Sequence, residues 1–361
     1  RPELPRAPKP RATDPRGPTP VDGRPPHPQE GIRAGAGGPA STTIERMHRV
    51  TPAIPPLPGP LDRDALAAAV HAGRPFAARD ALDCRVLTRH GLASRFRVLH
   101  PGVYIANHAR PTTRDRVDAA ALWAPADAVL AGWAVAHLHG EKWFSDRECA
   151  RAIDVYSQRP LRATPGIRVR RTSREVPGVD LRRVAGIPVT SPARAAVDIA
   201  RWTRGADERV CAVDSVCNSS RTGLDLLAAA AGRMVGQHGV KAATALLPLC
   251  DPLADSPQES LLRLSIARSD LPTPTSQLEI YNEYRQKVAT ADLGYQREMV
   301  AIFYDGRHHG RDEQWTYDLQ VTAILTDMGW QVVRVARGMS PGIVIHHIRA
   351  ALERSRLRLG Y

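Results

Sequence analysis

Hydrophobic and polar positions divide the chain into four stretches. Residues 1–60 show no apolar periodicity. Pro, Gly and Arg dominate them, and so little apolar surface cannot offset the entropy of ordering the chain, so a disordered Pro/Arg-rich tail is expected. Residues 61–114 open with Leu66, Ala67, Ala69 and Val70 at helical spacing, behind Asp62 or Asp64 as N-cap. A second short helix follows Pro75-Phe76 with Asp80, Ala81 and Leu82, and a third is expected over 85–90, ended by Gly91. The pattern then alternates through Phe96-Arg97-Val98-Leu99 and Val103-Tyr104-Ile105. The intervening His100-Pro101-Gly102 predicts a hairpin. Three helices and a β-wing predict a winged-helix-like module.

Residues 115–250 read as a helical and mixed middle domain. A short strand over Ile187–Thr190 runs into Ser191 as N-cap with Pro192 at the first helical position. The helix that follows is expected to bury Ala196, Val197, Ile199 and Ala200 on one side and to carry Arg194 and Asp198 as a surface pair. Two Ala/Leu-rich helices, broken by Gly236 and Gly239, follow over 222–249. The polar, Pro-punctuated stretch 250–257 predicts a boundary, and Ser256-Pro257-Gln258-Glu259 is a capping box that restarts regular structure. In residues 255–361, Val300, Ala301, Ile302, Phe303 and Tyr304 form a β-rich apolar run ending in Asp305-Gly306, which predicts a buried strand. The class expected for the whole chain is α/β (α+β).

Composition sets limits on this picture. With 361 residues, 43% of them hydrophobic but only 5% aromatic, two or three cores built on Leu, Val and Ala are expected. The five cysteines are scattered with no Cys-x-x-Cys pair, which argues against a disulfide framework or zinc knuckle. No apolar run has bilayer length and no signal peptide opens the chain, so a cytoplasmic protein without membrane partners is expected. Met47 is the first Met, which suggests residues 1–46 as a translated upstream extension; the rival is a basic arm lying on DNA.

The formal net charge is +13, which favours a polyanionic partner, most simply DNA. The excess lies in the tail, in 74–116 and in 159–183, whereas charges roughly balance from Asp255 onward. Arg85, Arg89, Arg95 and Arg97 make the candidate recognition face. A winged helix used for protein contacts, with Arg for solubility, is the alternative.

Candidate chemistry concentrates near the C-terminus. Asp292 lies one hairpin before the buried strand, whose exit carries Asp305, His308 and His309, with Asp318 further on. Carboxylate oxygens suit Mg²⁺ and a neutral imidazole can accept a proton from water, so these are parts of a metal-assisted phosphodiester hydrolase. His137 and His139, two apart, point to different helix faces and read as structural.

Several motifs carry a resemblance. Ser256-Pro257-Gln258-Glu259-Ser260, Leu271-Pro272-Thr273-Pro274 with Gln277, Asp292-Leu293-Gly294, Tyr304-Asp305-Gly306 with His309, Asp318, and Gly329-Trp330 leading to Arg334 resemble the restriction-endonuclease-like fold, and within it the very-short-patch (Vsr-like) repair endonucleases. The resemblance implies a C-terminal domain with a mixed central sheet. It implies Asp292 as primary Mg²⁺ ligand, with the Tyr304 carbonyl as a second and Asp305 assisting through water. It further implies His309, or else His308, as general base, Asp318 orienting the imidazole, and Glu259 positioning the attacking water. The sequence departs from the pattern at Phe303, where relatives place Glu, and at Gln320 and Val321, near where they carry Arg. Two readings stay open: a decayed nuclease, or an active one that ligates through backbone. His100-Pro101-Gly102-Val103-Tyr104, the small-residue run 131–140 and the stretch 186–200 resemble AbiEi-like antitoxins of type IV toxin–antitoxin systems. That implies a DNA-binding regulator with a cognate toxin or defence-system protein as partner.

Overall fold

The computed structural model describes residues 62–162, 164–172, 175–305 and 312–360, the side chains of 312–318 excepted. The tail expected over residues 1–60 lies outside the described residues.

Asp62 caps α1 (Arg63–His71) by accepting the Ala65 N–H. β1 (Phe76–Ala77), α2 (Ala78–Asp83), α3 (Arg89–Arg95), β2 (Phe96–His100) and β3 (Val103–Ala106) follow. The strands are ordered β1-β3-β2, all antiparallel. Phe76 meets the Phe96 ring edge-on at 5.0 Å in a core with Leu66, Leu87 and Leu92. The third helix lies further along than 85–90. The Thr88 hydroxyl accepts the Gly91 N–H and starts the helix at Arg89, so Gly91 stands in its first turn rather than ending it. Arg85 occupies the preceding turn at φ 53°.

A capping box of Thr112 and Asp115 opens α4 (Thr113–Trp123). Asp118 on this helix is fully buried and takes Arg114 at 2.7 Å and Arg74 at 2.9 Å, which ties the N-terminal module to the middle of the chain. There β4 (Val129–Ala131), α5 (Trp133–Leu138), α6 (Ser145–Arg151), β5 (Ile153–Ser157), β6 (Ile167–Arg171), β7 (Leu181–Val184) and β8 (Ile187–Thr190) build a five-stranded mixed sheet, ordered β6-β5-β4-β8-β7. Ser191 caps α7 (Pro192–Trp202) as its position predicts. α7 is not half-exposed, however. All of 193–200 is buried, because the sheet meets Ala195 while α8 (Ala206–Ser220), α9 (Leu224–Arg233) and α10 (Val240–Thr244) cover the rest. The Arg194–Asp198 pair is therefore an interior one.

The C-terminal part runs α11 (Pro257–Ala267), β9 (Thr275–Tyr281), β10 (Lys287–Tyr295), β11 (Val300–Asp305), α12 (Asp312–Asp327), β12 (Gln331–Ala336), α13 (Pro341–Leu359). The sheet order is β12-β11-β10-β9, with β11 and β12 parallel and the other pairs antiparallel. Leu262, Ile266, Val344 and Ile348 from α11 and α13 cover one face; Val321 and Leu325 from α12, with Trp330, cover the other. Gly294 lets the central strands close. A Cβ there would stand 2.5 Å from Leu278 Cδ2 and 2.9 Å from the Val300 carbonyl oxygen. The architecture is mixed α/β throughout the described residues, and no helix among them is long and apolar enough to cross a membrane.

α11 belongs to two cores. Leu262 and Ile266 pack in the C-terminal core, while Leu264 packs with Val213 and Val216 of α8. Asp214 of α8 also accepts the Ser260 hydroxyl at 2.7 Å and Arg263 Nη2 at 2.8 Å. Cleavage by an Asp-specific protease at Asp251 or Asp255 is therefore expected to leave two fragments that co-elute in gel filtration. Fragments that part without denaturant would show the joint to be weak.

Candidate functional site

The acids of the C-terminal part gather where its sheet loses its regularity. Ala291 pairs with Leu278, and Leu293 with Ser276 and Ile302, but at Asp292 the alternation breaks. Ala291 packs with the α12 layer and Leu293 with the α11/α13 layer, and Gln277 across from Asp292 has φ 49°. The Asp292 carboxylate accepts the Tyr304 N–H at 2.6 Å through Oδ2. Tyr304 thus contributes its amide to Asp292. Burial raises the Asp292 pKa, with Asp305 and Asp255 adding to the rise and the Tyr304 N–H and Arg334 opposing it.

Glu259 is buried at the start of α11. Its Oε2 accepts the Asp255 N–H at 2.9 Å and Gln277 Nε2 at 3.0 Å, and its Oε1 accepts the Ser256 hydroxyl at 2.8 Å. Half of the predicted capping box forms: Ser256 Oγ accepts the Glu259 N–H, while the Glu259 carboxylate takes the N–H of Asp255, one residue before the cap. Burial pushes the Glu259 pKa up to about 7, and the Asp292 charge adds to the rise, so the two acids share one neighbourhood. Asp305 ends β11 and accepts Arg334 Nη1 at 2.8 Å. The same guanidinium reaches Thr322 Oγ1 and lies 5.3 Å from the centre of the Phe303 ring. Glu259, Asp292, Asp305 and the Tyr304 backbone therefore converge. His308, His309 and the Asp318 side chain lie outside the described residues.

Most of the acid oxygens here are already engaged within the protein. A six-coordinate Mg²⁺ needs hard oxygens with lone pairs to give. Asp292 Oδ2 and both Glu259 oxygens already accept hydrogen bonds, and Arg334 holds Asp305. Arg334 also places positive charge beside the Phe303 ring. Among the described residues no group of three His, Cys, Asp or Glu side chains could hold a metal.

Neutralising Glu259 tests its burial. A folded-state pKa near 7 lies above the ordinary Glu value, so the folded protein holds a proton that the unfolded chain releases. The resulting contribution is full below about pH 4.3 and is lost as pH rises through 7. Glu259→Gln keeps the capping geometry and removes this dependence. Its melting temperature is expected to gain on the wild type between pH 5 and about 7 and to run parallel above. A constant offset across that range would mean an ordinary Glu259.

The basic residues near α3 divide into two kinds. Arg85, Arg89 and His90 are exposed, and Arg95, also exposed, lies 5.6 Å from the Phe96 ring centre. Arg97 is half-buried and donates to the Ala109 carbonyl at 2.8 Å, so it holds the exit of the hairpin. The hairpin tip is anchored as well. His100 is buried against Gly166, and burial holds its imidazole below the usual range.

Sequence reading missed a buried ionic network in the middle of the chain. Asp198 accepts the Tyr156 hydroxyl at 2.6 Å, Arg201 Nε at 2.9 Å and Arg194 Nε at 3.2 Å. Asp180 takes Arg233 Nη2 at 2.5 Å and Arg194 Nη1 at 3.6 Å. Arg194 is 3% exposed and both acids are fully buried. Only the i,i+4 spacing of Arg194 and Asp198 was visible in the sequence.

Compared with known proteins, the chain is similar to two uncharacterised proteins of Mycobacterium tuberculosis, from strains CDC 1551 and H37Rv. Each is 29% identical over 204 residues, covering 54% of this chain and 73% of the relative. No family model and no solved structure matches it.

Proposed function

We propose that the chain is a duplex-DNA-binding protein of the regulator kind, in which an N-terminal winged helix contacts DNA and the acid-bearing C-terminal domain serves as a scaffold. One observation carries this reading. The order helix-strand-helix-helix-strand-strand ends in a β-hairpin, and Arg85, Arg89, His90 and Arg95 are exposed on and beside the helix that precedes it. The net charge of +13 supplies the electrostatic footprint. The AbiEi-like resemblance belongs to the same reading, as do a cytoplasmic location and a cognate toxin or defence-system partner.

A Mg²⁺-dependent endonuclease of the Vsr-like kind is the second reading. The convergence of Asp292, Glu259 and Asp305 on a mixed sheet favours it. The Asp305–Arg334 pair and the Phe303 ring against Arg334 favour the scaffold instead.

The test is duplex affinity against salt by fluorescence anisotropy, with parallel incubation of single-stranded, duplex and mismatched DNA in Mg²⁺ or Mn²⁺. Phosphate neutralisation releases counterions, so affinity is expected to fall steeply with salt and the DNA to stay intact. Absence of binding at low salt sinks the proposal. Metal-dependent cleavage abolished by Asp292→Asn establishes the second reading.

A further inference from the structure

We infer that the middle domain carries a separate site for a nucleotide-sized phosphate ligand, in the cleft between α6, β5–β6 and the α7–α8 turn. The cleft is a cavity of about 460 Å³, within the range of small-molecule sites. Five arginines line it (Arg147, Arg151, Arg168, Arg170 and Arg204) against the three carboxylates of Glu148, Asp154 and Glu208.

The arginines are held in braced pairs. Asp154 accepts Arg170 Nε at 2.7 Å and Arg168 Nη1 at 3.3 Å. Glu148 accepts Arg147 Nε at 2.9 Å and Arg151 Nη1 at 3.2 Å. In each pair the carboxylate lies deeper than its arginines. The Asp154 side chain is 2% exposed beneath Arg168 at 49%, and Glu148 is 20% exposed beneath Arg151 at 65%. A guanidinium has five N–H donors, so one braced from below keeps donors for a ligand in fixed directions. Fixing them beforehand lowers the entropy lost on binding. Arg204 on the α7–α8 turn is exposed on the same cleft.

The walls are flat and aromatic. Arg170 stacks over Trp202 at 3.9 Å, and Trp133 and Phe144 meet at 5.5 Å, all four lining the cavity. Net positive charge beside aromatic and guanidinium planes suits a phosphate joined to a base. Surface ion pairs alone stabilise a fold little, and they do not call for an excess of cations in a concave site. This inference does not depend on DNA binding by the winged helix, which uses other residues.

Isothermal calorimetry on the full chain tests it, with ADP, inorganic phosphate and a 5′-phosphorylated single-stranded oligonucleotide as probes. Saturable binding of ADP or the oligonucleotide is expected, with phosphate weaker than either. The tighter of the two identifies the source of the phosphate as a free nucleotide or a nucleic-acid end. Arg151→Glu with Arg204→Glu, both at exposed positions, is expected to weaken binding at least tenfold while the melting temperature and duplex-DNA affinity hold. Wild-type protein that binds none of the three probes overturns the inference, as does a double variant that binds them equally well.

Discussion

Replacing Asp198 with alanine is expected to cost about 3–5 kcal/mol of unfolding free energy, the range for removing one member of a buried ion pair. Asp198 is fully buried and its two oxygens receive Tyr156, Arg194 and Arg201. Without it, Arg194 keeps the longer 3.6 Å approach to Asp180 and the Tyr156 ring at 5.2 Å, and its charge remains in the interior. A domain stable by about 5–15 kcal/mol loses a large fraction of that. Asp198→Asn keeps an acceptor and is expected to lose less. Chemical denaturation of both variants, with the midpoint read at constant slope, measures the difference. A loss below about 1 kcal/mol for alanine would place this network with ordinary surface pairs.

Reversing Arg85 and Arg89 to Glu is expected to weaken duplex binding at least 100-fold near 0.1 M salt. Each phosphate contact contributes close to 0.9 to the slope of log affinity against log salt, so losing two should flatten it by roughly 1.8. Both side chains are exposed, so the fold should survive. Arg95→Glu should cost less, since that guanidinium lies over the Phe96 ring. Removing residues 1–46 should also cost less than the double reversal. Anisotropy titrations at several salt concentrations check all of this. An unchanged slope in the double variant would move the DNA contact off α3.

What the sequence disclosed follows physical lines. Elements with a hydroxyl or carboxylate cap were placed well: Asp62 before α1, Ser191 before α7, Ser256 before α11. α3 was misplaced because Gly91 reads as a terminator, while Thr88 draws its N–H into a first turn. Most of the middle sheet stayed hidden. Its edge strands are Ile167–Arg171 and Leu181–Val184, with three and two arginines, and charged edges blur the alternation that marks a strand. The site was half legible. Asp305 and Glu259 stand at a strand end and a helix start, as the sequence suggests, whereas Asp292 falls within β10, and the guanidinium beside Phe303 comes from the parallel neighbour β12, which local spacing cannot reveal. Asp180 and Asp198, which share Arg194, come together from remote segments for the same reason.

The double membership of α11 limits how this protein can be recombined. A chimera joined before Pro257 would bring a foreign residue to the Leu264 position against α8, and one joined after Ala267 would present foreign partners to Leu262 and Ile266. Either crossover leaves one interface mismatched. Three residues on one short helix answer to two interiors, so a change of side-chain volume at any of them must be accommodated by partners on different sides of the helix. Exchange of the C-terminal domain should succeed only when its donor also supplies the α8 surface.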